Sequence, residues 1–363
     1  LNHTLKEINM TCYNPKYARI ETMEKYNEAT GELLGANKNI TFLHKNEALK
    51  VETGELKEGI TVIPCQKCTG CALDKSNGGA TRCLMEMKNW KHSYFITLTY
   101  NDENIPMTTA YKSPRDLTII NHCELVPRDL QLFMKKLRKH YKGELPRTYK
   151  GETEYPIRFF GAGEYGTKTE RCHFHLALFN IVFDDLKLHK MVPTKFGTQY
   201  PIYTSEKLAK IWGKGFITIE ELTYETAAYI ARYVLKKAFG KDKKYWEAIE
   251  IHPEFTTTSK RGGIGFDLMN NKEEWDKIVR NYGIFTRTQS GKTLLKKIPS
   301  AIRQQWKERD EIEYYILNEK HNEEINKAIQ ERNKQINITP KEQRLIELRT
   351  LNNKIRQLKR NQI

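Results

Sequence analysis

The stretch GEYGTKTERCHFHLALF, residues 163–179, constrains the fold more than any other. Two runs rich in apolar, aromatic and β-branched residues, YPIRFFGAGEYG and CHFHLALFNIVF, flank the polar tetrapeptide TKTE. Such runs joined by a short polar loop form a hairpin, which commits the chain to an antiparallel sheet. Side chains alternate along a strand, so His173 and His175 face one way and Phe174 the other. With 167–170 as the loop, the expected cross-strand pairs are Gly166–Arg171, Tyr165–Cys172 and Glu164–His173. Glu164 then shares the face of both histidines. Two imidazoles and a carboxylate with open positions suit a divalent ion, Mg or Mn, that still has to bind a phosphate oxygen. The alternative is a pair of satisfied core histidines, and the rest of the chain has to decide.

Other segments extend the sheet. YFITLTY reads as a buried core strand and is assigned a scaffolding role. VPRDLQLFMKKLRKHY places Leu130, Phe133, Met134 and Leu137 at helical spacing, with Lys and Arg opposite. LTYETAAYIARYVLKKAFG is an Ala-rich helix stopped by Gly240. The expectation is an α+β fold, a central antiparallel β-sheet flanked by helices, with an N-terminal cysteine-cluster segment and a helical C-terminal tail. The boundaries follow composition: a variable segment 1–60, the main domain 61–240, a basic glycine-containing extension 241–299, and a charged helical tail 300–363. TGELLGANKN and VETGELKEG read as turns between short strands. In the tail, Thr339, Pro340 and Glu342 mark a capped helix restart, and Leu348, Leu351, Ile355 and Leu358 form a short apolar stripe.

A formal charge of +16 favours a polyanionic partner, nucleic acid first. Lys135, Lys136, Arg138, Lys139 and His140 crowd one end of the amphipathic helix, and Lys237, Lys260 and Arg261 add further basic positions. Such groups bind phosphate with strong salt dependence and little sequence preference. A mean hydropathy of −0.70 and the lack of an apolar run near twenty residues argue against a membrane partner. The opening LNHTLKEINM has no basic-then-apolar leader pattern. Reduced thiols in a cytoplasm are therefore expected for the seven cysteines. Cys65, Cys68, Cys71 and Cys83 are spaced Cys-x2-Cys-x2-Cys-x11-Cys, which favours a structural zinc, with an iron–sulfur cluster as the second choice. Lys67, Lys75 and Arg82 within it are candidate DNA contacts, and Cys12 and Cys123 have no assigned role.

Tyr229, Tyr233 and Lys236 lie along one helical stripe. A phenol ionises near pH 10, so it becomes a nucleophile only when its proton is taken and its target polarised. A lysine nearby offsets charge as the transition state develops. Tyr224 and Lys237 keep the choice of residues open, and an ordinary aromatic stripe is the competing interpretation.

FITLTY, then Glu164 with HFH, then Tyr-x3-Tyr-x2-Lys resembles, in order, the three motifs of HUH-family replication initiators. PCQKCTGCALDKSNGGATRCLME, GEYGTKTERCHFH and AAYIARYVLKK look more narrowly like the initiators of gokushoviruses, single-stranded DNA phages of the Microviridae. The resemblance spans roughly residues 61 to 270. It implies an HUH endonuclease with an RRM-like palm, His173 and His175 as metal ligands and Glu164 as the third. It also implies Tyr229 and Tyr233 as nucleophile candidates and Lys236 as the motif lysine. The activity implied is rolling-circle initiation: nicking of single-stranded origin DNA, a 5′-phosphotyrosine link, a free 3′-OH and later rejoining. Host polymerase and helicase are the implied partners, and the cytoplasm of the infected bacterium the implied location. Two positions depart from the pattern, Cys172 and Gly262, each standing where the family carries Pro. Cys172 would alter metal preference if its thiolate reached the ion. The rival functions are a related plasmid initiator, relaxase or transposase, a His-x-His metal-dependent hydrolase, and a non-catalytic DNA- or RNA-binding protein.

Overall fold

The computed structural model describes residues 12–26, 30, 33–44, 46–48, 59–166, 170–193, 197, 199–232, 243–288, 291–334, 345–350 and 352–353. The chain divides into two compact units: Leu1–Asp74 with Tyr315–Lys359, and Lys75–Tyr314 with Arg360–Ile363. The tail's capping residues Thr339, Pro340 and Glu342, and Leu351, Ile355 and Leu358 of its stripe, lie outside the described residues. Among the described residues, no helix is long and apolar enough to cross a membrane.

The first unit carries an antiparallel sheet of β1 (Lys16–Tyr26), β2 (Leu33–Phe42) and β3 (Ile60–Ile63), in the order β2-β1-β3. Much of TGELLGANKN, expected as a turn, is strand β2. Gly35, Asn37 and Asn39 pair with Lys25, Met23 and Glu21 of β1, so ladder pairing overrides their weak turn preference. Helix α1 (Thr69–Met87) begins here and continues into the second unit.

The second unit runs through β4 (Ser93–Tyr100), the hairpin β5 (Met107–Tyr111) and β6 (Ile119–Cys123), and α2 (Pro127–His140). A small hairpin β7 (Arg147–Tyr149) and β8 (Glu152–Glu154) leads into β9 (Arg158–Tyr165) and β10 (Cys172–Phe179). Next come β11 (Lys187–Pro193), β12 (Gln199–Thr204), α3 (Glu206–Trp212), β13 (Gly215–Glu221) and α4 (Tyr224–Ala231). Then follow α5 (Lys243–Ala248), β14 (Phe255–Thr258), α6 (Lys272–Arg280), β15 (Gly283–Arg287), β16 (Thr293–Lys297), α7 (Ser300–Arg309) and α8 (Glu311–Lys334). Among the described residues, seven strands form one sheet in the order β11-β12-β13-β4-β10-β9-β14, every neighbouring pair antiparallel. The α+β expectation, with a large antiparallel sheet flanked by helices, holds.

Alternation along β4 and β10 separates two faces. Ile96, Leu98, Tyr100, Phe174, Leu176 and Leu178 face a core completed by α2 and α3. The apolar stripe expected of α2 is buried there as Leu130, Phe133, Met134 and Leu137. On the opposite face, Phe95, Ala177 and Phe179 meet Ala227 and Ile230 of α4, together with Cys83 of α1. A Cβ on Gly79 of α1 would lie 3.3 Å from that of Ala231, so the glycine lets the two helices approach closely. Thr223 and Thr226 form a capping box that fixes where α4 starts, and with it the rotation that presents Tyr229.

An ion pair is enclosed on this side as well. Arg158 of β9 and Glu86 of α1 are 2 % and 0 % exposed and 2.5 Å apart. Arg158 also donates to the carbonyls of Arg261 and Gly263, so the glycine-rich basic loop wraps the guanidinium.

Candidate active site

The hairpin register is the one that loop length and alternation predict: Tyr165 pairs with Cys172 and Glu164 with His173. The Gly166 N–H donates to the Arg171 carbonyl at 2.9 Å, closing the hairpin ahead of 167–169, which lie outside the described residues. Glu164, His173 and His175 therefore share a face, and Glu164 and His175 are buried at 5 % and 7 % exposure.

The Glu164 carboxylate is the junction of the site. Its Oε1 lies 2.8 Å from Nε2 of His175 and accepts from the Tyr229 hydroxyl at 2.9 Å. The His175 and Tyr229 rings meet edge to face at 5.1 Å, and Phe95 stacks on His175 at 5.5 Å. The phenol of α4 thus points at the histidine face. Arg232 lies over the Tyr229 ring at 5.6 Å. Tyr233, Lys236 and Lys237 lie outside the described residues.

Two residues that the sequence reading left as scaffolding orient the imidazoles. Thr97 Oγ1 is 3.0 Å from Nδ1 of His175, and Thr99 Oγ1 is 3.4 Å from Nδ1 of His173. Both threonines sit on β4, opposite the histidines they touch. Engaging Nδ1 directs Nε2 outward, which is how a neighbouring hydroxyl sets the orientation of a metal-binding imidazole. Gly166 is the third such residue: a Cβ there would come within 2.7 Å of Nε2 of His173. Glu220 of β13 is a second buried carboxyl on this face, and burial raises its pKa above the usual range. The alternation in FITLTY and the second glycine of GEYG were the available signals. Nothing local marked Glu220.

A donor set of two oriented imidazoles and one carboxylate fits a divalent ion chemically. Geometrically, His175 and Glu164 are already in contact, whereas the His173 and His175 rings are centred 6.2 Å apart. The three donors are thus not drawn together as tightly as the sulfurs described below. Cys172 does not reach them: its side chain lies on the opposite face, wholly buried, with its sulfur 2.8 Å from that of Cys123. That contact holds the Cys123 thiol down at about 6, and the same contact together with burial pushes Cys172 up.

The cysteine cluster differs from the expected set. Cys12, not Cys83, joins Cys65, Cys68 and Cys71, and the four sulfurs lie within 4.8 Å of one another, an arrangement that could hold a metal. Cys83 stands twelve residues beyond Cys71 on α1, about 18 Å along the axis, fully buried in the helix–sheet core.

The basic candidates separate. Lys135, Lys136 and Lys139 are exposed on α2. Arg138 instead donates to the Ile157 carbonyl and lies over the Phe159 ring. It shares a cleft of about 570 Å³ with Lys260 and Arg261, which joins two candidate groups that are far apart in sequence. Arg261 is paired with Glu152 and Glu154 across the β7–β8 hairpin.

Residues 93–238 match the family model of the phage replication-associated protein ORF2. That stretch is a member of this family. It begins at the first residue of β4 and contains Glu164, His173, His175, Tyr229, Tyr233 and Lys236. The chain is 36% identical over 230 residues to replication-associated protein ORF2 of Spiroplasma virus 4, covering 63% of this chain and 63% of the relative. It is 36% identical over 204 residues to replication-associated protein VP4 of Bdellovibrio phage phiMH2K, 56% of each. To replication-associated protein ORF4 of Chlamydia phage 1 it is 26% identical over 184 residues, 50% of this chain and 40% of the relative. The match thus spans less than two thirds of the length of each of these curated relatives. No solved structure matches the chain significantly. The resemblance to phage replication proteins drawn from the three motifs is borne out.

Proposed function

We propose that the chain initiates phage DNA replication by nicking single-stranded origin DNA through a tyrosine, as an HUH-type endonuclease. The observation that carries this reading is the Tyr229 hydroxyl donating to Glu164 at 2.9 Å, while the same carboxylate contacts His175 at 2.8 Å. A phenol is thereby held beside an imidazole–carboxylate pair on a face that Thr97 and Thr99 keep oriented.

In the proposed reaction the tyrosine oxygen attacks the scissile phosphorus. A phosphorus–oxygen bond to the enzyme forms, and the bond to the 3′ oxygen breaks. The phenol proton passes to a base, for which the Glu164 carboxylate is already within reach. The released 3′ oxygen takes up a proton and leaves as a primer end for a host polymerase. The exchange conserves the phosphodiester's energy, so rejoining runs through the same groups in reverse, with Tyr233 as the second nucleophile. Lys236 offsets the charge that develops on phosphate. A Mg or Mn ion held by His173, His175 and Glu164 would polarise the phosphate. The net charge of +16 fits a DNA partner.

The test is a covalent protein–DNA adduct that survives a denaturing gel, formed on origin-containing single strands with Mg or Mn. The Tyr229→Phe, Tyr233→Phe double variant is expected to form none; adduct at the normal level would overturn the assignment, and release of cut DNA without adduct would favour hydrolysis. A second expectation concerns Thr97. Thr97→Val keeps the shape and loses the hydroxyl at Nδ1 of His175, and should weaken Mn binding by about 10- to 100-fold. Thr97→Ser should retain most of it. Titration of Mn by calorimetry reads both, and equal affinity in Thr97→Val would show that the hydroxyl does not orient the ligand.

A further inference from the structure

The sulfurs of Cys12, Cys65, Cys68 and Cys71 stand 3.9 Å apart for Cys65–Cys71, 3.9 Å for Cys12–Cys68 and 3.6 Å for Cys68–Cys71. A tetrahedral zinc with Zn–S bonds of about 2.3 Å has sulfur–sulfur edges of about 3.8 Å. All three distances are close to that edge. An iron–sulfur cluster distributes its four thiolates over two or more irons, so sulfurs on different irons lie further apart than the edges of one ion's shell. Disulfides would join the sulfurs in twos, yet Cys68 has two neighbours at nearly equal distance. We propose that one zinc ion is bound by these four cysteines, independently of the nicking chemistry.

The topology explains why Cys12 belongs. Strands β1 and β3 pair with Lys16 opposite Ile63, so the chain before β1 and the chain after β3 leave the same end of the sheet. Cys12 lies four residues before that pair and Cys65 two after it. The chain then turns through Gln66, in the left-handed region at φ 62°, into Cys68 and the first turn of α1 with Cys71. Backbone N–H groups aim at the sulfurs, from Cys65 to Cys12 at 3.3 Å, from Cys68 to Cys65 at 3.3 Å and from Tyr13 to Cys68 at 3.4 Å. These donors fix sulfur positions as outer partners do around structural metals. The apolar cluster of this sheet is small, Tyr17 and Ile60 buried with Leu43, Ala48 and Val62 beside them. So small a core gains most from a metal that binds only the folded arrangement.

The experiment compares metal content by mass spectrometry in the full chain, Cys12→Ser and Cys83→Ser, each purified without chelator. Cys12→Ser is expected to hold about one zinc fewer than the unaltered chain, and Cys83→Ser the same amount. Cobalt loaded into the unaltered chain supplies a readout that no variant's folding can disturb. It should give the intense sulfur-to-cobalt charge-transfer band and visible bands of a tetrahedral tetrathiolate. Zinc retained in Cys12→Ser, zinc lost from Cys83→Ser, or a cobalt spectrum without thiolate bands would each overturn the proposal.

Discussion

Glu164→Gln is expected to slow adduct formation by about 10²- to 10⁴-fold, the range for removing a positioned proton acceptor. The substitution preserves shape, and the amide oxygen can still accept from Tyr229, so the fold and the placement of α4 should survive. What disappears is the negative charge that two donors now share, the His175 Nε2 and the phenol oxygen being 2.8 and 2.9 Å from one carboxylate oxygen. Loss of that charge acts on two quantities that can be measured apart. The phenol, ordinarily ionising near pH 10, loses its nearest base. The site also loses its one hard anionic donor, so Mn affinity should fall in calorimetry even without DNA. Single-turnover adduct formation at saturating Mn then isolates the first effect from the second. Normal rate together with normal Mn affinity would remove Glu164 from the mechanism.

How much of this was legible in the sequence depended on distance along the chain. The pairing of Glu164 with His173 needed only the period of a strand and the length of one loop, and both are local. The buried stripe of α2 was legible for the same reason. The pairing of Cys12 with a cluster more than fifty residues away was not, because it follows from β1 lying beside β3, and the segment between them contains turn-forming residues that nonetheless build a strand. Cys83 fitted the spacing rule but sits on a helix, where twelve residues carry the thiol far from the knuckle that Cys65 to Cys71 form. Thr97 and Thr99 were visible as the polar half of an alternating strand, yet their role appeared only when β10 supplied the imidazoles opposite. Strand β11, whose side chains are mostly exposed, carries no apolar alternation from which a strand could be read. The basic residues were read as one class and proved to be several, since a guanidinium that caps carbonyls and one that faces solvent look alike in sequence.

The arginine of YPIRFF illustrates the last point, and removing its partner should give the largest loss of stability. Glu86→Ala is expected to destabilise the second unit by about 3–5 kcal/mol, the cost of leaving a buried charge without its counter-ion. Glu86 accepts from Arg158 Nε at 2.5 Å, from the indole of Trp90 at 2.8 Å and from the Gly265 N–H at 2.6 Å. No water can replace the carboxylate at Arg158 without opening the packing of α1 against β9 and the 261–265 loop. A double variant, Glu86→Leu with Arg158→Met, separates charge from packing, because an apolar pair of similar volume avoids the orphaned guanidinium. It should recover only part of the loss, since the Trp90 and Gly265 donors and the carbonyls of Arg261 and Gly263 then lack partners, each costing about 1–3 kcal/mol if buried. Urea unfolding decides the matter: the midpoint should fall in Glu86→Ala and rise partway in the double variant, with an unchanged slope. A midpoint within error of the unaltered chain in Glu86→Ala would mean that Arg158 is held by the loop carbonyls alone, and that α1 is anchored to the sheet by its apolar contacts rather than by this pair.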